Sequence, residues 1–173
     1  MEAMEKDGGR FPKICLGAEV AYYPNISYLE ELDRLCIGKS GYLLLELPFR
    51  QWGMEVVRDV QNICNAGQVN LILAHIERYL PYLRSGNAAQ MLRLELQMQM
   101  DTQFITDRKT RRLARRILKD NPPFLLGTDC HDLTDRKPDM GQAVELLQKR
   151  AMEQELLEAM AISEAIWKEA ADE

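Results

Sequence analysis

The segment NLILAHIERY, residues 70–79, decides the fold of this chain. Its apolar run, residues 71–74, predicts a strand buried on both faces, as in a parallel sheet covered by helices. The run ends at His75, Glu77 and Arg78. Because chemistry collects at the carboxyl ends of parallel strands, a histidine there with an arginine nearby indicates a metal ligand or a base beside an anion-binding group. Taken alone, the segment fits a structural histidine at a strand end equally well.

Composition and charge are those of a soluble globular protein and argue against several functions. With 173 residues, 46% of them hydrophobic and 28% charged, the chain has the length of one domain with a substantial core. Its net charge of -5 gives no general electrostatic reason for nucleic-acid binding. The longest apolar runs are far too short to span a bilayer, so we expect no membrane insertion.

The N-terminus and the cysteines indicate the compartment. The first ten residues, MEAMEKDGGR, are polar and lack the apolar segment of a signal peptide. The four cysteines are scattered without a CxxC spacing, as in proteins that keep their thiols reduced. We therefore predict a cytoplasmic protein.

Strand-like and helix-like segments alternate along the chain. Residues 1–12 are predicted to be a disordered lead-in, residues 13–150 a β/α domain, and residues 151–173 a C-terminal helical extension. The predicted strands cover residues 13–21, 42–47, 70–74 and 124–127. The predicted helices cover residues 27–35, with Ser27 as the capping residue, and residues 54–66, 106–119 and 141–167, the last with a break near residues 148–152. A further helix is predicted from residue 87, and its last part, LELQMQM, fits a strand equally well. This alternation predicts a parallel sheet, either open or part of a barrel.

Polar side chains that a sheet core accommodates poorly lie within or directly after the predicted strands. They are Glu19, Glu46, His75, Asp129 and His131. Both histidines of the chain belong to this set, which favours a functional role for them. Asp129 and His131 are two residues apart, so on a strand end their side chains are predicted to project to the same side. For Glu19 the alternative is a rim carboxylate that faces water. Carboxylates and imidazoles together suit Mn, Fe or Zn, and a carboxylate can bridge two ions.

Two arginines follow these side chains closely in the sequence. Arg78 follows His75, and Arg136 follows His131. Guanidinium groups beside metal ions suit a phosphate ester, whose oxygens accept paired hydrogen bonds. The whole set therefore predicts metal-assisted phosphate hydrolysis, in which ions and arginines stabilise the charge that develops as water attacks.

Four segments, in order, resemble the bacterial protein-tyrosine phosphatases of the PHP (polymerase and histidinol phosphatase) superfamily. They are GAEVAYYPNI (residues 17–26), YLLLELPF (42–49), LILAHIERY (71–79) and LLGTDCHDLTDRKPDMGQA (125–143). The resemblance implies an α/β fold, a distorted, TIM-like β/α barrel with parallel strands and a cluster of metal ions, usually manganese. It also implies a role in capsule and exopolysaccharide synthesis, in which such enzymes dephosphorylate a tyrosine autokinase.

The resemblance also implies roles for individual residues. The metal ligands would be Glu19, Glu46, His75, Asp129 and His131, with Glu19 bridging two ions. The arginines that hold the phosphate would be Arg78 and Arg136.

The chain departs from the family pattern mainly at its start. Family members begin with an H-x-H strand and a D-D-G turn and supply another histidine from the next strand, whereas residues 1–13 contain no histidine. The resemblance therefore implies a partial barrel that lacks two N-terminal βα units and three metal-binding histidines. Smaller departures are Asp132, where asparagine is usual, and Asp101-Thr102, where Asn-Ser or Asn-Ala is usual.

These departures leave several hypotheses open. The first is a metal-dependent protein-tyrosine phosphatase with intact chemistry. The second is a truncated relative, catalytically weak or inactive, that acts at most as a metal- or partner-binding module. A third, an unrelated α/β binding module, requires the four ordered segments to be coincidental. Since a partial barrel exposes strand edges and part of its core, we also predict a homo-oligomer.

Overall fold

The fold is seen in a computed structural model that describes residues 13–82, 91, 94, 96–120 and 124–171. The predicted lead-in, residues 1–12, lies outside the described residues, as does most of the helix predicted from residue 87.

Five parallel strands form one sheet, and their order in the sheet is their order in the chain. The strands are β1 (Glu19–Ala21), β2 (Tyr42–Glu46), β3 (Asn70–Leu73), β4 (Gln97–Asp101) and β5 (Leu125–Gly127). In the register of the sheet, Glu19 lies opposite Leu44, and Leu44 lies opposite Ile72. The predicted parallel β/α architecture is therefore confirmed, and all five carboxyl ends meet at one edge.

Helices connect the strands and cover the sheet. They are α1 (Met54–Ala66), α2 (Ile76–Tyr79), α3 (Thr102–Thr106), α4 (Arg111–Asp120), α5 (Met140–Gln148) and α6 (Glu153–Ala171), with short 3-10 turns at Ile26–Tyr28, Leu32–Leu35 and Leu80–Tyr82. Helix α1 has the predicted bounds because its apolar stripe is followed by Gly67, which ends the helix in the left-handed conformation at φ 65°. In the described part of the chain, no helix has the length and apolarity needed to cross a bilayer.

Both faces of the sheet are buried, as the apolar run at residues 71–74 predicts. On one face, alternate strand residues such as Leu43, Leu45 and Leu73 join the main core with α1. On the other face, Ile72 and Leu125 form a second cluster with Ile166 of α6. The helix predicted for the C-terminal extension therefore packs on the sheet of its own chain.

Two predicted helices differ from the observed elements. In place of a helix over residues 27–35 there are two 3-10 turns, because the Ser27 hydroxyl that was expected to cap the helix instead donates to Asp59 Oδ1, at 3.2 Å. The helix predicted over residues 106–119 begins only at Arg111. Before it, Asp107 Oδ1 accepts a hydrogen bond from the Lys109 N–H at 2.8 Å, and this local bond favours a turn.

Two ambiguous segments are resolved. The alternating segment LELQMQM ends in strand β4, between β3 and β5. The predicted break near residues 148–152 is confirmed, since α5 ends at Gln148, α6 begins at Glu153, and Ala151 between them has a φ of 54°.

Candidate metal centre

His75 lies at the carboxyl edge of the sheet, directly after β3. Its backbone adopts the left-handed conformation, at φ 50° and ψ 49°, which is unusual for a residue other than glycine. Two hydrogen bonds hold this turn: the His75 N–H donates to Gln99 Oε1 at 2.8 Å, and the Arg78 N–H donates to the His75 carbonyl at 2.8 Å. The residue is only 2% exposed, so the imidazole is fixed inside the site.

The imidazole of His75 lies between two carboxylates. Nδ1 is 2.8 Å from Asp101 Oδ1, and Nε2 is 2.8 Å from Glu19 Oε1. Burial by itself lowers the pKa of the ring, but the hydrogen bonds and charge of Asp101, together with the hydrogen bond of Glu19, raise it to about 9. The two carboxylates therefore favour the protonated, positively charged ring when no metal ion is bound.

Asp101, the last residue of β4, organises one side of the site. Its Oδ1 also accepts a hydrogen bond from Gln99 Nε2 at 2.9 Å, and its Oδ2 accepts one from Arg78 Nη2 at 2.9 Å. Burial opposes ionisation, but the hydrogen bonds from His75 and Gln99 hold the pKa of this carboxyl well below its usual range. Gly127 on β5 leaves room for the Gln99 amide, with which a Cβ atom at that position would collide.

Glu77 is a second buried carboxyl group on this side of the site, and the sequence alone predicts no role for it. Its side chain is 7% exposed, and its Oε2 accepts a hydrogen bond from the Asp101 N–H at 3.3 Å. Burial, and then the charge of Asp101, raise the pKa of Glu77 to about 7. The only sequence signal that Asp101 belongs to the site is that it ends a strand, as Glu46 does. For Glu77 the only such signal is its place in the HIERY segment.

The side chains of Glu19, Glu46 and His75 can reach one metal ion. One ligand atom from each lies within 4.8 Å of the other two. The register explains this proximity, because Glu46 is paired with Ala21, two residues along β1 from Glu19 on the same face. A similar group consists of His75, Glu77 and Asp101.

The donor set fits a divalent metal ion. One imidazole nitrogen with carboxylate oxygens suits Mn, Fe or Zn. Metal-binding histidines usually donate their second ring N–H to a carboxylate, and Asp101 is placed to accept that hydrogen bond from His75. Since the Glu19 side chain is 37% exposed, an ion can reach the group from solvent.

Asp129 joins the site from the loop after β5, where it contacts Arg136 of the same loop and Arg78 of α2. Its Oδ2 accepts hydrogen bonds from Arg78 Nη2 and Arg136 Nη2 and lies 4.0 Å from His75 Nδ1. The Asp129 side chain is 8% exposed, whereas those of Arg78 and Arg136 are 35% and 40% exposed. The arginines thus converge beside the candidate ligand group, and part of each arginine side chain stays open to solvent.

His131 lies farther out than the other predicted ligands. Its side chain is 57% exposed, and its Nδ1 lies 2.9 Å from the Asp129 carbonyl oxygen. Among the described residues it belongs to neither group that brings three ligand atoms together. The alternation of side chains that placed it beside Asp129 does not apply, because β5 ends at Gly127 and Asp129 has a φ of 46°.

Asp132 shapes the loop that carries Arg136. Its Oδ1 accepts hydrogen bonds from the backbone N–H groups of Thr134, Asp135 and Arg136, at 2.7, 2.7 and 3.0 Å. These bonds lower the pKa of the exposed carboxyl. In the sequence, Asp132 stands out only as a departure from the usual asparagine, although an aspartate is well suited to bind backbone N–H groups within a turn.

The fold and this edge of the sheet define a β/α protein with a carboxylate-histidine site flanked by arginines. A family model described as capsular polysaccharide synthesis, CpsB/CapC, matches residues 2–166, so the chain belongs to the CpsB/CapC family. This assignment confirms the resemblance found in the sequence. No curated protein is significantly similar to the chain.

A solved structure supports the fold class. The matched chain comes from the crystal structures of YwqE from Bacillus subtilis and CpsB from Streptococcus pneumoniae, described as unique metal-dependent tyrosine phosphatases. The TM-score is 0.72 at 15% sequence identity, and the match covers 91% of the present chain and 64% of the other. The likeness confirms a partial, TIM-like β/α fold, and the chain spans somewhat less than two thirds of the solved structure that it matches.

Proposed function

We propose that the protein hydrolyses phosphotyrosine in proteins with the help of divalent metal ions. The observation that carries the proposal is the buried His75 imidazole between Glu19 and Asp101, with two arginines converging on the neighbouring Asp129. The proposed metal ligands are Glu19, Glu46, His75, Asp129 and His131. Manganese is the proposed metal, with iron and zinc as alternatives of the same donor preference.

The residues around the site have separable tasks. Asp101 holds the His75 ring so that Nε2 faces Glu19. Arg78 and Arg136 each use one nitrogen on Asp129 and have further N–H groups to bind the phosphate oxygens. A divalent ion at the site would stabilise the negative charge of the phosphate group and would activate a water molecule.

The proposed substrate is a tyrosine autokinase of polysaccharide synthesis, and the proposed location is the cytoplasm. The family description, capsular polysaccharide synthesis, supports the biological setting, and the solved relatives are described as tyrosine phosphatases.

The test is phosphate release from a phosphotyrosine peptide by the full chain with added Mn²⁺. We expect turnover that is abolished by EDTA and reduced at least about 100-fold in Arg136→Ala, because the phosphate loses a bidentate partner next to the reacting centre. Arg150→Ala, on the exposed turn after α5, is the matched control and should leave the rate unchanged. Metal-independent turnover, or an unchanged rate in Arg136→Ala, would contradict the proposal.

A second candidate function is a metal- or partner-binding module with weak or no turnover. It is favoured by the exposed position of His131 and by the use of the Asp129 carboxylate by two arginines. Stoichiometric Mn²⁺ binding without phosphate release from the peptide would select this function.

A further inference from the structure

An exposed aromatic ring lies beside the candidate metal centre. Phe49 follows β2 three residues after Glu46, and it is 44% exposed. Its ring stacks on that of Tyr79, with 5.8 Å between the ring centroids and 25° between the ring planes. A single exposed phenylalanine is common on protein surfaces, so its surroundings must decide whether it has a role.

The support beneath Phe49 is rigid. Tyr79 is fully buried, and its hydroxyl oxygen accepts a hydrogen bond from the Leu47 N–H at 2.8 Å. Trp52 packs edge-on against Tyr79, with 5.3 Å between centroids, and its indole N–H donates to the Pro48 carbonyl at 2.9 Å. The backbone groups of Leu47 and Pro48, just before Phe49, are therefore hydrogen-bonded to buried rings, and the Phe49 ring packs against one of those rings.

Phe49 is also tied to the phosphate-binding side of the site. The Arg78 guanidinium carbon lies 6.0 Å from the centroid of the Phe49 ring, and the same guanidinium bonds to Asp101 and Asp129. A phosphate group held by Arg78 would consequently place the group esterified to it near the Phe49 ring.

We propose that Phe49 determines specificity: its ring receives the aromatic ring of an aryl phosphate monoester, so that the site prefers aryl phosphates to alkyl phosphates. Stacked aromatic pairs gain free energy beyond the burial of apolar area, and an alkyl ester lacks that gain. The inference rests on the proposed function and adds to it the residue that separates phosphotyrosine from phosphoserine.

The test is the binding of two phosphonates that cannot be hydrolysed, phenylphosphonate and methylphosphonate, to the full chain with Mn²⁺, measured by calorimetry. We expect phenylphosphonate to bind the wild type about fivefold more tightly or better. Phe49→Leu should remove this preference and leave the affinity for methylphosphonate unchanged, whereas Phe49→Tyr should keep it. Tyr28→Leu removes a ring that is 76% exposed on a 3-10 turn and is the matched control, expected to behave as wild type.

The outcomes separate this inference from the proposed function. Equal affinities in the wild type, no binding of either phosphonate, or a preference retained in Phe49→Leu would overturn it. If Phe49→Leu retains the preference, the aromatic ring of the ligand would instead bind in the cavity of about 350 Å³ between the sheet and α6. Ile72, His75 and Trp167 line part of this cavity. A preference without phosphate release from a phosphotyrosine peptide would overturn the proposed function alone.

Discussion

At the scale of single residues, His75 shows how neighbours change the chemistry of a side chain. Its ring is buried, which disfavours charge, yet the carboxylates of Glu19 and Asp101 lie at hydrogen-bond distance from its two nitrogens. The charges and hydrogen bonds outweigh the burial, and the pKa rises from 6.5 to about 9. In the metal-free protein the proton on His75 should therefore contribute to stability.

The raised pKa of His75 makes the free energy of unfolding of the metal-free protein depend on pH, and its direction of change can be predicted. Because the folded-state pKa of His75 is raised, its contribution is fully present below about pH 6.5 and is lost as the pH rises through about 9. We expect the free energy of unfolding of the metal-free protein to fall across this range by on the order of 3 kcal/mol. Urea denaturation in EDTA measures it.

The control for this prediction is His75→Gln, which should lose the slope between pH 6.5 and 9. Glu77 affects stability at lower pH, because its pKa is raised from 4.5 to about 7. The stabilisation that comes from its protonated form is lost mainly as the pH rises between these two values. An equal slope in wild type and His75→Gln would show that other groups cause the dependence.

Residues of the site differ in how far the sequence could predict them. Glu19 lies in β1, Glu46 ends β2 and His75 follows β3, so a parallel register of these neighbouring strands implies their proximity, while their ligand role stays a prediction. The position of Asp101 beside His75 depends on the packing of β4 against β3, which no local pattern reveals. His131 follows a strand that ends four residues earlier, so alternation gives no information about its side chain.

At the scale of elements, local sequence signals predicted a helix correctly where no residue distant in the chain competed for the same hydrogen bonds. Helix α1 has an apolar stripe and a glycine stop, and both act within the helix. The capping signal at Ser27 failed because its hydroxyl bonds instead to Asp59, 32 residues away in the chain. When a side chain can bond to either of two partners, the tertiary structure decides which bond forms. A sequence pattern shows only the local partner.

Helix α6 is the element whose packing is most open to test. Ile166 is 6% exposed and packs in the cluster with Ile72 and Leu125, whereas Leu157 on the same helix is 60% exposed. We expect Ile166→Ala to lower the free energy of unfolding by about 2 kcal/mol or more, since it removes buried methyl groups and leaves a void.

Leu157→Ala is the control for this helix and should change the free energy of unfolding by less than about 0.5 kcal/mol. Both values come from denaturant unfolding monitored by circular dichroism. Equal small effects of the two substitutions would mean that α6 does not cover the sheet in solution.

At the scale of the whole molecule, a parallel sheet buried on both faces brings the ends of five strands to one edge. That edge gathers carboxylates from β1, β2 and β4, a histidine and an arginine after β3, and an aspartate and an arginine after β5. The predicted homo-oligomer stays a prediction.

The central claim is that the site formed by Glu19, Glu46 and His75 binds a divalent metal ion. Calorimetric titration of the metal-free protein with Mn²⁺ tests this claim most directly. Glu46→Gln removes one ligand charge on β2, and Glu145→Gln, on α5 in an exposed ion pair with Lys149, is the matched control. We predict stoichiometric Mn²⁺ binding in the wild type and in Glu145→Gln, and an affinity lower by about tenfold or more in Glu46→Gln. No Mn²⁺ binding in the wild type, or equal affinity in all three proteins, would contradict the account.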